Sequence, residues 1–142
     1  MATVSASALG RPLVRARAII DYTELVAAGT SETVDLMRIP ASAVVQDVFI
    51  EVPTLLADAG SISAVTLKIG DGSDDDRFLT ALGVFTGDTQ TRQAAAGAGP
   101  LVMASAATMV GTLTATGGNF GDGSATALDA GQIVVTVTYR LV

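Results

Sequence analysis

The feature that most restricts this chain is a period-two alternation of apolar and polar residues, in short runs broken by Gly, Pro, Asp or Ser. The clearest run is the last one. Ile133, Val135, Val137, Tyr139 and Leu141 fall on one side, and Gln132, Val134, Thr136, Thr138 and Arg140 on the other. Successive side chains of a strand point to opposite faces, so this spacing gathers an apolar face only if the backbone is extended. A helix would need apolar residues three and four apart over ten or more positions, and such stretches are scarce here.

The same pattern recurs along the chain. Val14 to Tyr22 sets Val14, Ala16, Ala18 and Ile20 against Arg15 and Arg17. After a turn at Ala27-Ala28-Gly29-Thr30-Ser31, a second strand runs from Thr33 to Ile39 and ends at Pro40, which has no N–H for a ladder. In the third, Val44, Val48, Ile50 and Val52 are assigned to one face, with Gln46 as the polar exception. Val45, Asp47, Phe49 and Glu51 take the other face, and Pro53 is expected to close the strand. From Ile62 to Ile69, Val65, Leu67 and Ile69 read as inward, Thr66 and Lys68 as outward. Leu101 to Met103 and Thr108 to Thr116 complete the strands before the last.

Between them lie the breaks. Gly70 to Asp76 is an acidic loop, and Arg77 to Leu82 fits a short helical turn or a strand, because Asp74 to Asp76 are good capping residues. Gly87 to Pro100 reads as a long loop and Gly117 to Gly131 as a glycine-rich excursion. Residues 1–13 read as an N-terminal arm and 14–142 as one β domain. About eight short strands without a fixed repeat imply an all-β sandwich or a jelly roll, which buries half-apolar strands in a shared core. No helical pattern alternates with the strands, which argues against a parallel α/β sheet.

Composition narrows the chemistry. The chain has no His, Cys or Trp, so imidazole bases, thiolate nucleophiles, disulfides and zinc sites with nitrogen and sulfur ligands are excluded. A serine triad lacks its histidine, and Ser-x-x-Lys is absent, Lys68 being the one lysine. No catalytic residue, cofactor site or metal site is assigned, and the chain reads as a non-enzyme. The net charge of −6 would be repelled by a phosphate backbone, so nucleic acid is not an expected partner. Gln93 to Gly121 carries no charge, yet Pro100 and its many Gly, Ser and Thr make it too weakly apolar for a membrane span. The N-terminus has no basic residue ahead of an apolar run and does not read as a secretory signal.

Charged residues make up 15% of the chain, against about 25–35% for the surface of a typical small soluble domain. Burial in an oligomer or a larger assembly would account for the shortage, as would a surface rich in Thr, Ser and Gly. The charge is also unevenly placed. Residues 1–20 hold Arg11, Arg15 and Arg17 and no acid, so the rest, with five basic and fourteen acidic residues, stands at −9. The basic section could dock on an acidic surface or form a solvated outer strand face.

Three motifs invite a ligand. Asp71, Ser73 and Asp75 fall at the first, third and fifth positions of an EF-hand loop, but Asp76 stands where Gly is needed and Leu82 where the bidentate Glu belongs. The adjacent aspartates do not specify the separated carboxylate pair of a glycosidase. Gly70-Asp71-Gly72-Ser73 and Gly121-Asp122-Gly123-Ser124 resemble phosphate loops without the Gly-Lys-Ser/Thr ending, and read as turns.

The stretches IPASAVVQDVFIEV (Ile39 to Val52), VTLKIGDGSDDDRFLTAL (Val65 to Leu82) and AGQIVVTVTYRLV (Ala130 to Val142) resemble small capsid-associated proteins of tailed bacteriophages. These are the head decoration, or cement, proteins and related virion structural proteins. The shared order is a strand entered through Ile-Pro-Ala, a strand leading into an Asp-rich loop with a Phe-Leu segment, and a β-branched terminal strand ending in Tyr. The resemblance implies a compact β domain on the outer surface of a capsid. It would form a homotrimer, bind the major capsid protein and stabilise the mature head. Another virion component, such as a tail, fibre-associated or minor head protein, and a calcium-dependent β-sandwich binding module are the alternatives.

Overall fold

A computed structural model of the chain describes residues 13–58, 60–85 and 101–141, and the backbone of 92–94. Nine strands lie among them: β1 (Leu13–Asp21), β2 (Ser31–Ile39), β3 (Val44–Ala57), β4 (Ala64–Gly70), β5 (Leu79–Gly83), β6 (Arg92–Ala94), β7 (Leu101–Val102), β8 (Ala107–Thr116) and β9 (Ala130–Arg140). One 3-10 turn, Tyr22–Glu24, follows β1 and is capped by the Asp21 side chain.

All the strand pairs are antiparallel. β1 lies against β9, β2 against β8, β4 against β5, and β3 against both β6 and β7. These are the pairings of one long ribbon doubled back on itself, first strand against last and second against next to last. Glu51 to Phe49 of β3 face Arg92 to Ala94, and Val45 to Val44 face Leu101 to Val102, so β6 and β7 share one strand position. Rolling the ribbon joins β9 to β3 and β8 to β4. The result is a five-stranded sheet, β1-β9-β3-β6 with β7 on β3, and a four-stranded sheet, β2-β8-β4-β5. Eight strand positions rolled into two sheets make the jelly roll that the alternation predicts.

The core is the apolar face of each alternating run. Ile20, Ile50, Ile133, Val135 and Val137 from the five-stranded sheet pack with Val65, Leu67, Ile69 and Leu113 from the other. No polar or charged residue is buried among the described residues, so every desolvated side chain there contributes burial without a polar group to satisfy.

Four expectations are corrected, and the alternative left open for Arg77 to Leu82 is decided. In β3, Val45 is buried and Val44 half-exposed, the reverse of the assignment, because Gln46 is an extra residue between the pairs Val45↔Tyr139 and Asp47↔Thr138. A bulge of this kind shifts the alternation by one, so Gln46 marks a phase change rather than a polar residue in the core face. Pro53 does not close the strand. β3 continues to Ala57, with Pro53 exposed at a second irregularity between Glu51 and Thr54, where the ladder needs no donor. Arg77 to Leu82 resolves as extended: Phe78 N–H donates to Ile69 O at 2.9 Å and Leu79 begins β5. Leu13 belongs to β1, and residues 92–94 of the expected long loop form β6. The rest of that loop and residues 1–12 of the arm lie outside the described residues.

The glycine-rich excursion before β9 is held down at both ends. Phe120 is fully buried, and its N–H donates to Gly29 O at 3.0 Å. Gly121 and Gly123 donate to Ala27 and Val26, and Asp129 to Ala57. One apolar anchor and a row of backbone hydrogen bonds thus make ordered structure from a stretch that composition alone reads as loose.

Gly131 sits where β9 leaves this excursion, at φ +144, and a Cβ there would lie 2.8 Å from Leu56 Cα. Gly131→Ala is expected to lose about 1–3 kcal/mol in urea denaturation. Gly29→Ala, with open space around it and no positive φ, should change stability by less than about 0.5 kcal/mol. Phe120→Ala should cost about 3–5 kcal/mol, as a large cavity in a core does.

Candidate functional surfaces

The acidic loop between β4 and β5 is built on Asp71. Its Oδ1 accepts from Ser73 N, Ser73 Oγ and Asp74 N, each at 3.0 Å, and its Oδ2 accepts from Arg77 Nε at 2.7 Å. Asp71 N–H donates to Asp74 O, closing the turn. The loop passes so close to Gly70 that a Cβ there would meet the Asp74 carbonyl oxygen and lie 2.7 Å from Asp75 Cα.

The second Gly-Asp-Gly-Ser folds the same way. Asp122 Oδ1 accepts from Ser124 N at 2.9 Å, Ser124 Oγ at 3.1 Å and Ala125 N at 2.7 Å, and Asp122 N–H donates to Ala125 O. Gly121 again leaves no room for a Cβ, against Ala125 O and Val26. In both loops the N–H groups that would cradle a phosphate already serve the loop's own carboxylate, which supports reading them as turns.

The EF-hand positions separate. Asp71, with its side chain only 8% exposed, is committed to the turn and Arg77, while Asp75 lies 3.8 Å from Lys68 Nζ. The carboxylates that come within 4.8 Å of one another are Asp74, Asp75 and Asp76, all exposed. Burial opposes ionisation of Asp71, but the hydrogen bonds from Ser73 and Asp74 and the Arg77 charge outweigh it, holding its carboxyl below the usual range. Asp76 moves the other way. A hydrogen bond shared with Asp74, slight desolvation and the charges of Asp74 and Asp75 favour its protonated form.

A different surface carries two of the basic residues. On the outer face of the five-stranded sheet, a shallow groove is lined by Arg15 and Arg17 of β1, Thr136 and Thr138 of β9, and Asp47, Phe49 and Glu51 of β3. The ladder sets them in rows: Arg15 beside Thr138 beside Asp47, then Arg17 beside Thr136 beside Phe49. The alternation places Arg15 and Arg17 outward, as the structure finds. It does not pair them with a row of carboxylates two strands away, because that register is set by β9. The only hint in the sequence is that two alternating runs carry opposite charge on their outer positions. Arg11 lies outside the described residues.

No family model matches the chain, and neither does any curated protein. Chains of several solved structures share its fold. A chain of the cyanophage Pam1 capsid asymmetric unit aligns with a TM-score of 0.71 and 19% identity, over 100% of this chain and 94% of its own. A chain of the acidic stable capsid of Helicobacter pylori bacteriophage KHP30 aligns with a TM-score of 0.57 and 19% identity, over 91% and 87%. A chain of the Ralstonia phage GP4 capsid gives 0.58 and 18%, over 92% and 85%. At these identities the likeness is one of fold, and it spans nearly the whole of each chain.

The two aspartates predict opposite pH effects on stability. The Asp71 contribution is full above the ordinary aspartate range and is lost as pH falls through its depressed folded pKa. Asp71→Asn should therefore lower stability at pH 7 by about 1–2 kcal/mol, as loss of a capping carboxylate does, and flatten the acid limb of a melting-temperature profile. The raised pKa of Asp76 stabilises the fold only at low pH and ceases to do so as pH rises through it. Asp76→Asn should raise the melting temperature at pH 7 and leave it unchanged where the carboxyl is protonated.

Proposed function

We propose that this chain is a structural protein of a phage virion, a decoration or cement protein that binds the outer surface of the capsid and stabilises the mature head. The observation that carries this reading is the extent of the fold match: the alignment with a chain of a phage capsid structure covers 100% of this chain and 94% of that one. The residue chemistry agrees. A chain without His or Cys lacks the usual nucleophile and base pairs, and its two Gly-Asp-Gly-Ser loops are internally satisfied.

The outer surface is favoured over the inner by charge. A net charge of −6 is tolerated facing solvent and opposed by packaged nucleic acid. The low charged fraction fits a protein that buries part of its surface against the major capsid protein and against its own copies, as a homotrimer. Its role there is mechanical, contact area added across neighbouring capsid subunits.

Light scattering coupled to gel filtration, with and without a chelator, tests the reading, together with co-sedimentation on expanded heads and on unassembled capsid subunits. The expected result is a chelator-insensitive mass of about three times the 14.3 kDa chain and binding to assembled heads only. A monomer whose melting temperature falls on chelation would overturn it in favour of a calcium-dependent module, since a metal that binds only the folded state stabilises it.

A further inference from the structure

The net charge of the chain sits at one end of the sandwich. The strands run between two ends, and one of these is made by residues 22–30, by 58 and 60–63, and by 117–129. Backbone hydrogen bonds from Ser63 to Thr116, from Phe120 to Gly29 and from Asp129 to Ala57 tie it together. These loops and the strand residues that lead into them carry Asp21, Glu24, Glu32, Asp58, Asp122 and Asp129, and no Arg or Lys. Six of the fourteen acids are thereby set apart, and the eight that remain match the eight basic residues of the chain.

Five of the six accept hydrogen bonds from the backbone of their own end. Asp21 accepts from Thr23, Glu24 from Asp21, Glu32 from Ala27, Asp58 from Gly60 and Ile62, and Asp122 from Ser124 and Ala125. None of these five is in an ion pair among the described residues. Their charge is fixed by the fold and left uncompensated, so covering this end would strip water from carboxylates that have no cation of their own.

The opposite end is made by residues 40–43, 71–78 and 103–106, where Ser42 N–H donates to Met103 O at 2.7 Å and Met103 N–H to Ala43 O at 2.8 Å. The last ladder row at this end runs through Leu13, Arg140, Val44 and Val102. It holds the two most exposed large apolar residues among the described ones, Val102 at 64% and Leu13 at 57%. Beside it a shallow cleft opens between the acidic loop and the connection from β7 to β8, with Arg38, Arg77, Ser73, Val102, Ala104 and Val110 among its lining. Its one carboxylate, Asp71, is taken by Arg77 and by the turn. Asp74 to Asp76 crowd together in the same loop but do not line the cleft. Arg38 and Arg140 make no ion pair among the described residues.

We propose that the chain meets the capsid end-on, through the end that carries this cleft, with the acidic end left in solvent. The inference rests on the capsid reading and adds to it the end and the chemistry of the contact. The partner surface that fits offers a carboxylate to Arg38 and apolar side chains to Leu13 and Val102. Exposed apolar residues flanked by arginines are the composition of an interface centre, where Arg is enriched and acidic residues are depleted. The long-range field acts in the same sense. A molecule with its excess negative charge at one end approaches a carboxylate-bearing surface with that end turned away, which brings Arg38 to the partner.

The chain has no cysteine, so one can be placed at either end. Ala104→Cys lies exposed in the cleft, and Ala125→Cys lies exposed in the turn after Asp122 at the acidic end. Each is coupled to a polyethylene glycol maleimide, and co-sedimentation with expanded heads is measured before and after coupling. Uncoupled, both variants should bind as the parent chain does. Coupling at Ala104→Cys should weaken binding at least roughly tenfold, and coupling at Ala125→Cys should change it by less than about twofold. Arg38→Glu should weaken binding roughly tenfold and Arg38→Lys by less, since Lys keeps the charge but loses the planar fork that a carboxylate fits.

Loss of binding on coupling at Ala125→Cys, no loss on coupling at Ala104→Cys, or unchanged binding by a folded Arg38→Glu would overturn the proposal and leave the capsid reading standing. A parent chain that ignores expanded heads refutes the capsid reading and this one with it. The coupling arms compare one folded protein before and after a surface change, so they decide the question even if Arg38→Glu fails to fold.

Discussion

Everything in this molecule hangs on the pairing of its last strand. β9 is hydrogen-bonded to β1 along one edge and β3 along the other, and its inner residues Ile133, Val135 and Val137 are fully buried. β1 and β3 are not paired with each other, so without β9 the five-stranded sheet falls into separate pieces and the core loses one wall. A contact between the first and last strands must close nearly the whole chain as a loop, an entropic cost that only extensive burial offsets. The ribbon arrangement makes this affordable, because each inner pair, down to β4 with β5, shortens the closure the next one needs.

The same strand makes the groove. By standing between a strand with outward arginines and a strand with outward carboxylates, β9 sets two opposite charges in register at a separation neither could choose alone. Fold closure and surface patterning are thus one event. On the other sheet β8 carries Thr112 and Thr114 on its outer side, between Thr33 and Ser31 of β2 and Lys68 and Thr66 of β4.

The loops are built to need nothing from outside. Asp71 and Asp122 each gather three donors from the following residues, and the glycine ahead of each lets the chain return within contact distance. Such self-contained turns join strands tightly without adding polar groups that the small apolar core would have to accommodate. The leftover acids, Asp74 to Asp76, crowd at the tip, where water screens their repulsion.

Much of the fold was legible in the residues because strand alternation and turn chemistry are local. The faces of β1, β4 and β9, the break at Pro40 and both Gly-Asp-Gly-Ser turns follow from neighbours within a few positions. Gln46 was legible as an exception but not as a bulge, because the extra residue is defined only against Tyr139 and Thr138 of β9. Pro53 misleads for the same reason, since whether a missing N–H ends a strand depends on whether a partner sought it. The excursion of residues 117–131 hides its anchor, because one buried Phe120 among glycines has no periodicity to reveal it. What the sequence determined by itself was therefore the material: extended runs with one apolar face, tight polar turns, an acidic chain without His or Cys. Only the tertiary structure decided which strand lies beside which, and with it the charged groove, because register is a relation between residues a hundred positions apart and is set by the burial of all the faces at once.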